Sequence, residues 1–354
     1  MLMRALAVLS ILVALPTRPS HACTTFRLQG PEGPVIGKSY DWDTAPGHLV
    51  WNPAGARKRA FLPGLLDTPY EWTARYGSAT FVQYGRELPN GGMNTEGLVV
   101  EVMWLNEAEA MAVDRRPAVS ELQWIQLQLD RHATVREVVA AADEVRIARI
   151  YARVHYLVCD ATGECAALEP LGGRLVVTHG DALTFPVLAN EPYADGLASA
   201  QQCAGLGGKE AIGRTARTGH RFARAAKRTV TPGTPADAFV QLEDVAQGGF
   251  TKWQIVYQPK TREIAWRTSN ARAIKRSGPL SALPAACATG ARYVDLDVEA
   301  AGPVTWVPWT AEANTRLLTG NYEELATSTQ ERRLLGVLAA AAAGYPVGIR
   351  CQSP

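Results

Sequence analysis

The chain has 354 residues, 47% hydrophobic and 20% charged, the composition of a globular protein with a sizeable core. Its formal net charge is +2, and removing Arg4 and Arg18, which lie in the first 22 residues, takes that figure to zero. A chain so balanced offers no basic patch for nucleic acid or an anionic membrane, and none of its apolar runs reaches the ~20 residues that span a bilayer.

Residues 1–22 have the parts of a secretory signal. Arg4 gives a charged start, residues 5–15 are apolar, and Ser20 and Ala22 are small residues before Cys23. Cleavage between Ala22 and Cys23, and export to the periplasm or beyond the cell, are therefore expected. The cut would give Cys23 both a thiol and a free α-amino group. An α-amine of pKa about 8 can serve as base for a thiol nucleophile. The competing use of such a cysteine is lipidation, which would make a non-catalytic anchored protein. That signal places Leu three residues before the cysteine, whereas Ser20 stands there and Pro16-Thr17-Arg18-Pro19 separates it from the apolar run.

From Cys23 the pattern predicts a strand over 23–28, turn chemistry over 29–34 and a returning strand over 35–42. This hairpin brings Lys38, Asp41 and Trp42 back beside Cys23. Further strands are predicted at 79–84 and 97–105, with the Gly-rich segment 89–94 between them as a loop. Helices follow at 120–129 and from Thr134, where Thr134 and Glu137 form a capping box. Strand patterns return at 151–159, 165–171, 174–178 and 183–189. A basic, partly helical stretch covers 205–229. Next comes a helix with Thr234 as N-cap and Pro235 at its first position. A hairpin over 252–259 and 262–268 precedes a mostly helical tail, whose residues 334–349 read as a buried Ala-rich helix. Two blocks of strands with helices between and after them fit stacked antiparallel sheets flanked by helices, an α+β class. Residues 23–354 read as one domain.

Six cysteines occur, at 23, 159, 165, 203, 287 and 351. Cys159 and Cys165 flank a turn and can pair across a hairpin. With Cys23 set aside, five remain, so at least one thiol is left without a partner in the chain. No metal-ligand spacing is present. The mature region has His48, His132, His155, His179 and His220, none in the setting of a cysteine–histidine dyad. An N-terminal cysteine needs none. It needs an acid to orient its amine and donors for an oxyanion.

Cys23-Thr24-Thr25 followed by Gly37-Lys38-Ser39-Tyr40-Asp41-Trp42 resembles the opening of the choloylglycine hydrolase family, a group of N-terminal nucleophile (Ntn) hydrolases. The family is also called the linear amide C–N hydrolases and contains penicillin V acylases and bile salt hydrolases. The likeness continues in order through residues 92–98, 187–192, 220–226 and 251–270. It implies a four-layer αββα sandwich and cleavage of a linear amide through a thioester, with no cofactor. Cys23 would be the nucleophile and Asp41 the group orienting its amine and thiol. Asn190 would donate its side-chain amide to the oxyanion, and Trp104 its backbone N–H. Arg221 matches an active-site arginine of the family. Lys38 stands where most relatives have arginine; it keeps the charge and loses the bidentate fork. At the Trp104 position bile salt hydrolases typically carry asparagine and penicillin V acylases an aromatic. The resemblance therefore favours a small N-acyl amide over conjugated bile acids, its acyl group held by Trp42, Met93 and Trp104. Candidate substrates are penicillin V-like amides, N-acyl homoserine lactones and other acyl amides, with bile salts the alternative. Homo-oligomers are frequent in the family.

Overall fold

The computed structural model describes residues 23–351; the predicted signal and its cleavage junction lie outside the described residues. In chain order the first strands of the two main sheets are β1 (Thr24–Gly30), β2 (Gly33–Asp41), β3 (His48–Asn52), β4 (Ser78–Val82), β5 (Pro89–Asn94) and β6 (Val99–Trp104). Helices α1 (Glu121–Arg131) and α2 (Val135–Ala140) come next, then β7 (Val154–Cys159), β8 (Cys165–Leu171), β9 (Arg174–His179) and β10 (Val187–Leu188). Helices α3 (Tyr193–Gln201), α4 (Thr218–Thr229) and α5 (Pro235–Val245) lead to β11 (Thr251–Gln258) and β12 (Glu263–Thr268). The chain continues through β13 (Lys275–Arg276), β14 (Arg292–Asp295), β15 (Gly302–Pro303) and β16 (Val307–Pro308) to helices α6 (Ala311–Leu325) and α7 (Thr329–Gly344).

These strands form a seven-stranded sheet, β10-β1-β2-β11-β12-β13-β15, and a nine-stranded sheet, β9-β8-β7-β6-β5-β4-β3-β14-β16. Every pair is antiparallel except β13 with β15. Period-2 alternation gives each strand two faces. On β6, Val100 and Val102 pack with Trp124, Ile125 and Leu127 of α1, while Val99 and Met103 join the core between the sheets. Aromatics fill that inner layer: Phe81 meets Trp253 at a tilt and Tyr257 and Trp266 edge to face, at centroid distances of 6.1–6.3 Å. Helices α4 and α5 cover the far side of β1 and β2. The result is the expected sandwich of two antiparallel sheets between helical layers.

The expected hairpin forms in register Thr24↔Ser39 to Gly30↔Gly33, which sets Cys23 beside the end of β2. Thr234 caps α5 and Pro235 opens it as expected, and Asp237 completes a capping box there. Cys159 and Cys165 are disulfide-bonded across the β7–β8 turn. A second bridge, Cys287–Cys351, was not assigned from sequence; Cys23 and Cys203 are free thiols.

Three expectations need correction. Residues 89–94 are not a loop but strand β5, paired with β4 and β6. The glycines that suggested a loop instead permit close packing, since a Cβ on Gly91 would overlap the Glu101 carboxylate and one on Gly92 would meet the Ala79 carbonyl. Only Val187–Leu188 of the 183–189 run is strand. Pro186 has no N–H for a ladder and lends only its carbonyl, to Arg27 N at 2.9 Å. The terminal Ala-rich helix is not buried all round. It hides one stripe, Leu334, Leu335, Ala339, Ala342 and Ala343, and leaves Val337 in solvent.

Candidate active site

Cys23 sits at the entry to β1, buried, with its sulfur against the main chain of β2. The Asp41 N–H donates to Sγ at 3.5 Å, and the thiol faces the Asp41 carbonyl at 3.8 Å. The Asp41 carboxylate is held on the outer side of the same strand. Its Oδ1 accepts from Ser39 Oγ (3.0 Å) and Thr251 Oγ1 (2.5 Å), and its Oδ2 from Gln247 Nε2 (3.1 Å). Burial pushes the Asp41 carboxyl up, while the Thr251 hydrogen bond and the Arg221 charge oppose it.

Arg221 rises from the first turn of α4 beneath β1 and binds with every arm. Nη1 donates to Cys23 O (2.6 Å) and Thr24 Oγ1 (2.5 Å), Nη2 to Asn190 Oδ1 (3.1 Å), and Nε to Ala216 O (3.1 Å). The planar fork thus ties the Cys23 backbone to Asn190. Because Asn190 Oδ1 faces Arg221, its Nδ2 is turned the other way and donates to Trp104 O at 2.7 Å.

The edge of β6 explains this contact. β5 pairs with β6 only from Gly91↔Glu101 to Met93↔Val99, so the last three residues of β6 extend past their neighbour. On the opposite edge Leu105 N donates to Arg153 O. Antiparallel alternation then turns the N–H and C=O of Trp104 toward the β5 side. On that unpaired edge the Val102 carbonyl accepts Lys38 Nζ and the Trp104 carbonyl accepts Asn190.

Lys38 points between the sheets, fully buried, and pairs with Glu101 Oε2 at 3.3 Å. Glu101 also accepts from the Tyr257 hydroxyl. Burial is the main influence on the Cys23 thiol and pushes it up; Lys38 is the largest opposing charge. Glu101 was not among the expected site residues. Its signal was available, an acid on the inward side of the apolar run Val99–Trp104.

A second polar cluster missed in the sequence lies behind Asn190. His155 on β7 contacts Ala189 O through Nε2 (2.7 Å) and Glu169 Oε1 through Nδ1 (2.8 Å). Glu169 in turn accepts the Tyr193 N–H that opens α3. A carbonyl can only accept, so Nε2 carries a proton.

Cys23 opens into an apolar cavity whose walls include Trp42, Tyr84, Met103, Trp104, Leu325 and Leu335. The Trp42 and Trp104 rings lie 5.9 Å apart. Met93 is not part of this wall. It sits in mid-sheet opposite Ala79 and Val99, sealed in the core between the sheets, and Met103 takes the place expected for it. The expected residues Cys23, Lys38, Asp41, Trp42, Trp104, Asn190 and Arg221 do come together. Among the described residues no cluster of His, Cys, Asp or Glu is arranged to hold a metal, and no helix is long and apolar enough to cross a membrane.

Stacked antiparallel sheets between helical layers, with a cysteine at the entry of the first strand, define an Ntn-hydrolase fold. The chain superposes on penicillin V acylase from Agrobacterium tumefaciens with a TM-score of 0.71 at 22% identity, over 81% of this chain and 98% of that one. It superposes on a conjugated bile acid hydrolase variant from Clostridium perfringens with a TM-score of 0.62 at 14% identity, over 81% and 97%. In sequence it is 27% identical over 235 residues to penicillin V acylase from Pectobacterium atrosepticum, a match spanning 61% of each chain. No protein-family profile matches. The chain is a penicillin V acylase homologue, and sequence and fold together are consistent with the choloylglycine hydrolase family of Ntn hydrolases.

Proposed function

We propose that the mature chain is an exported amide hydrolase that cleaves the linear C–N bond of a small N-acyl substrate, with Cys23 as nucleophile and its own α-amine as base. The observation that carries this reading is the convergence on Cys23 of Asp41, Arg221 and Asn190, three residues far apart in the chain. Burial pushes the Cys23 thiol up, so at neutral pH it rests protonated and needs a base beside it.

In the proposed reaction Sγ attacks the amide carbonyl carbon as the thiol proton passes to the α-amine. Asp41 orients amine and thiol. Asn190 Nδ2 and the Trp104 backbone N–H receive the oxyanion, and Arg221 fixes the Asn190 amide so that its nitrogen points inward. The C–N bond breaks, the leaving nitrogen takes the proton from the ammonium, and a thioester remains on Cys23. Water then adds to the acyl carbon, giving a proton to the amine; the C–S bond breaks, Sγ regains that proton, and the acid departs. Lys38 lends positive charge near the sulfur.

The apolar cavity takes the acyl half. Penicillin V, named in the relatives, fits this class, as do N-acyl homoserine lactones and other acyl amides. Trp104, aromatic where bile salt hydrolases carry asparagine, favours these over conjugated bile acids. A panel of acyl amides assayed on the mature protein tests the reading, with Cys23→Ala expected to abolish hydrolysis. Full activity in Cys23→Ala would sink it, as would a mature N-terminus other than Cys23 or a lipid attached there.

A further inference from the structure

We propose that Asn90 is a specificity residue that favours acyl groups bearing a hydroxyl, through an unpaired hydrogen-bond acceptor held in the wall of the cavity beside Cys23. Tyr40 links Asn90 to Gln83. Gln83 Nε2 donates to the carbonyls of Thr44 (2.8 Å) and Pro46 (3.2 Å). Carbonyls only accept, so the Gln83 amide has one orientation, and Oε1 must face Tyr40. The Tyr40 hydroxyl donates its only proton there, at 2.9 Å. What it has left is a lone pair, which accepts Asn90 Nδ2 at 3.2 Å.

The orientation of Asn90 is therefore determined by its neighbours. A flipped amide would set Oδ1 against a hydroxyl oxygen whose proton is already used. In the determined orientation Asn90 Oδ1 has no hydrogen-bond partner, although the residue is only 6% exposed. Buried acceptors are rarely left unpaired, because their lost hydration is uncompensated. Asn90 lines the same cavity as Cys23, together with Tyr40 and Leu88. The rest of that lining is mainly aromatic and aliphatic, with Ser120, Glu121 and Glu331 as further polar side chains, which suits the acyl half of a substrate better than a polar amine.

An unpaired acceptor in such a wall discriminates. It accepts a hydroxyl on the acyl group and penalises a bare methylene placed against it. This inference rests on the acyl-amide reading of the site, and its test separates the two. Hydrolysis is compared for the octanoyl amide of one amine and its α-, β- and γ-hydroxy counterparts. Wild type is expected to prefer one hydroxy isomer by about tenfold in kcat/KM. Asn90→Leu, of similar size, should erase that preference by raising the plain amide relative to the hydroxy one. Tyr40→Phe leaves Asn90 in place but frees its amide to flip, so the preference should shrink there too. This second variant decides the matter if Asn90→Leu folds poorly.

A binding arm needs no turnover. On Cys23→Ala protein, the preferred free hydroxy acid should raise Tm more than octanoic acid, and Asn90→Leu should remove the difference. No hydroxyl preference in either arm would overturn the inference, as would a preference that survives in both variants. An equal loss on all substrates in Asn90→Leu would overturn it as well, because it would assign Asn90 to the scissile amide or to folding. Absence of amide hydrolysis by wild type would sink the proposed function alone, and the binding arm would still decide this point.

Discussion

Replacing Lys38 by Met keeps an aliphatic stem of similar length and removes one buried charge. In the native protein Lys38 Nζ lies 3.3 Å from Glu101 Oε2, and both side chains are fully buried. At an effective dielectric near 20 their attraction is about 5 kcal/mol. Relief from desolvating the ammonium returns part of this, but Glu101 is then left buried with only hydrogen bonds, from the Tyr257 hydroxyl and the Val102 backbone N–H, to stabilise its charge. A broken buried pair of this kind loses about 3–5 kcal/mol. Urea unfolding should show that loss in Lys38→Met, and a smaller one in Lys38→Met/Glu101→Leu, where no charge is orphaned. The pH dependence carries a sign. Burial already holds the Glu101 carboxyl above 4.5, and Lys38 pulls it back; without Lys38 it rises further. A carboxyl with a raised folded-state pKa stabilises fully below its unfolded value and loses that contribution as pH rises through the folded one. The deficit of Lys38→Met should therefore be smallest at acid pH and widen toward neutrality. The same substitution removes the largest charge opposing the upward shift of the Cys23 thiol, so alkylation of Cys23 should need higher pH. Single-variant losses that simply add in the double variant, or a deficit independent of pH, would refute the reasoning.

Asn190→Ala removes one proposed oxyanion donor and should lower kcat about 100–1,000-fold with little change in KM, read from initial rates. His155→Gln should lower kcat about tenfold by loosening the Ala189–Asn190 segment, and lower it no further in an Asn190→Ala background; additive effects would give His155 a purely structural role. The Cys287–Cys351 bridge closes a 64-residue separation and holds the end of the chain, beyond α6 and α7, to the body. Its removal by paired serines should cost about 4 kcal/mol, against about 2 kcal/mol for the six-residue separation of Cys159–Cys165, measured by urea unfolding.

Much of the site was legible in the sequence because its residues fall at local signals. The β1–β2 hairpin is dictated by Gly30-Pro31-Glu32-Gly33 between apolar-patterned arms, and it carries Cys23 to Asp41 without help from elsewhere. Asn190 and Arg221 were reached only through their resemblance to family motifs, since nothing local joins residues on a loop and a basic helix to Cys23. Met93 went astray because its Gly-rich neighbourhood looks like a loop until β4 and β6 close on either side of it.

What the sequence determined by itself is chemical and local: a cysteine following a signal-like segment, an alternation that buries two faces per sheet, and helix starts such as Thr234-Pro235. What only the tertiary structure decided is which polar groups meet. Glu101 under Lys38, Glu169 behind His155, and the relay from Gln83 through Tyr40 to Asn90 each join positions 14 to 63 residues apart, as 101 from 38, 169 from 155 and 83 from 40 illustrate. Their partners are chosen by sheet register and by the edge that β6 presents beyond β5. Hydrogen bonds depend on direction as well as on residue type, and direction is fixed only when the two sheets stack.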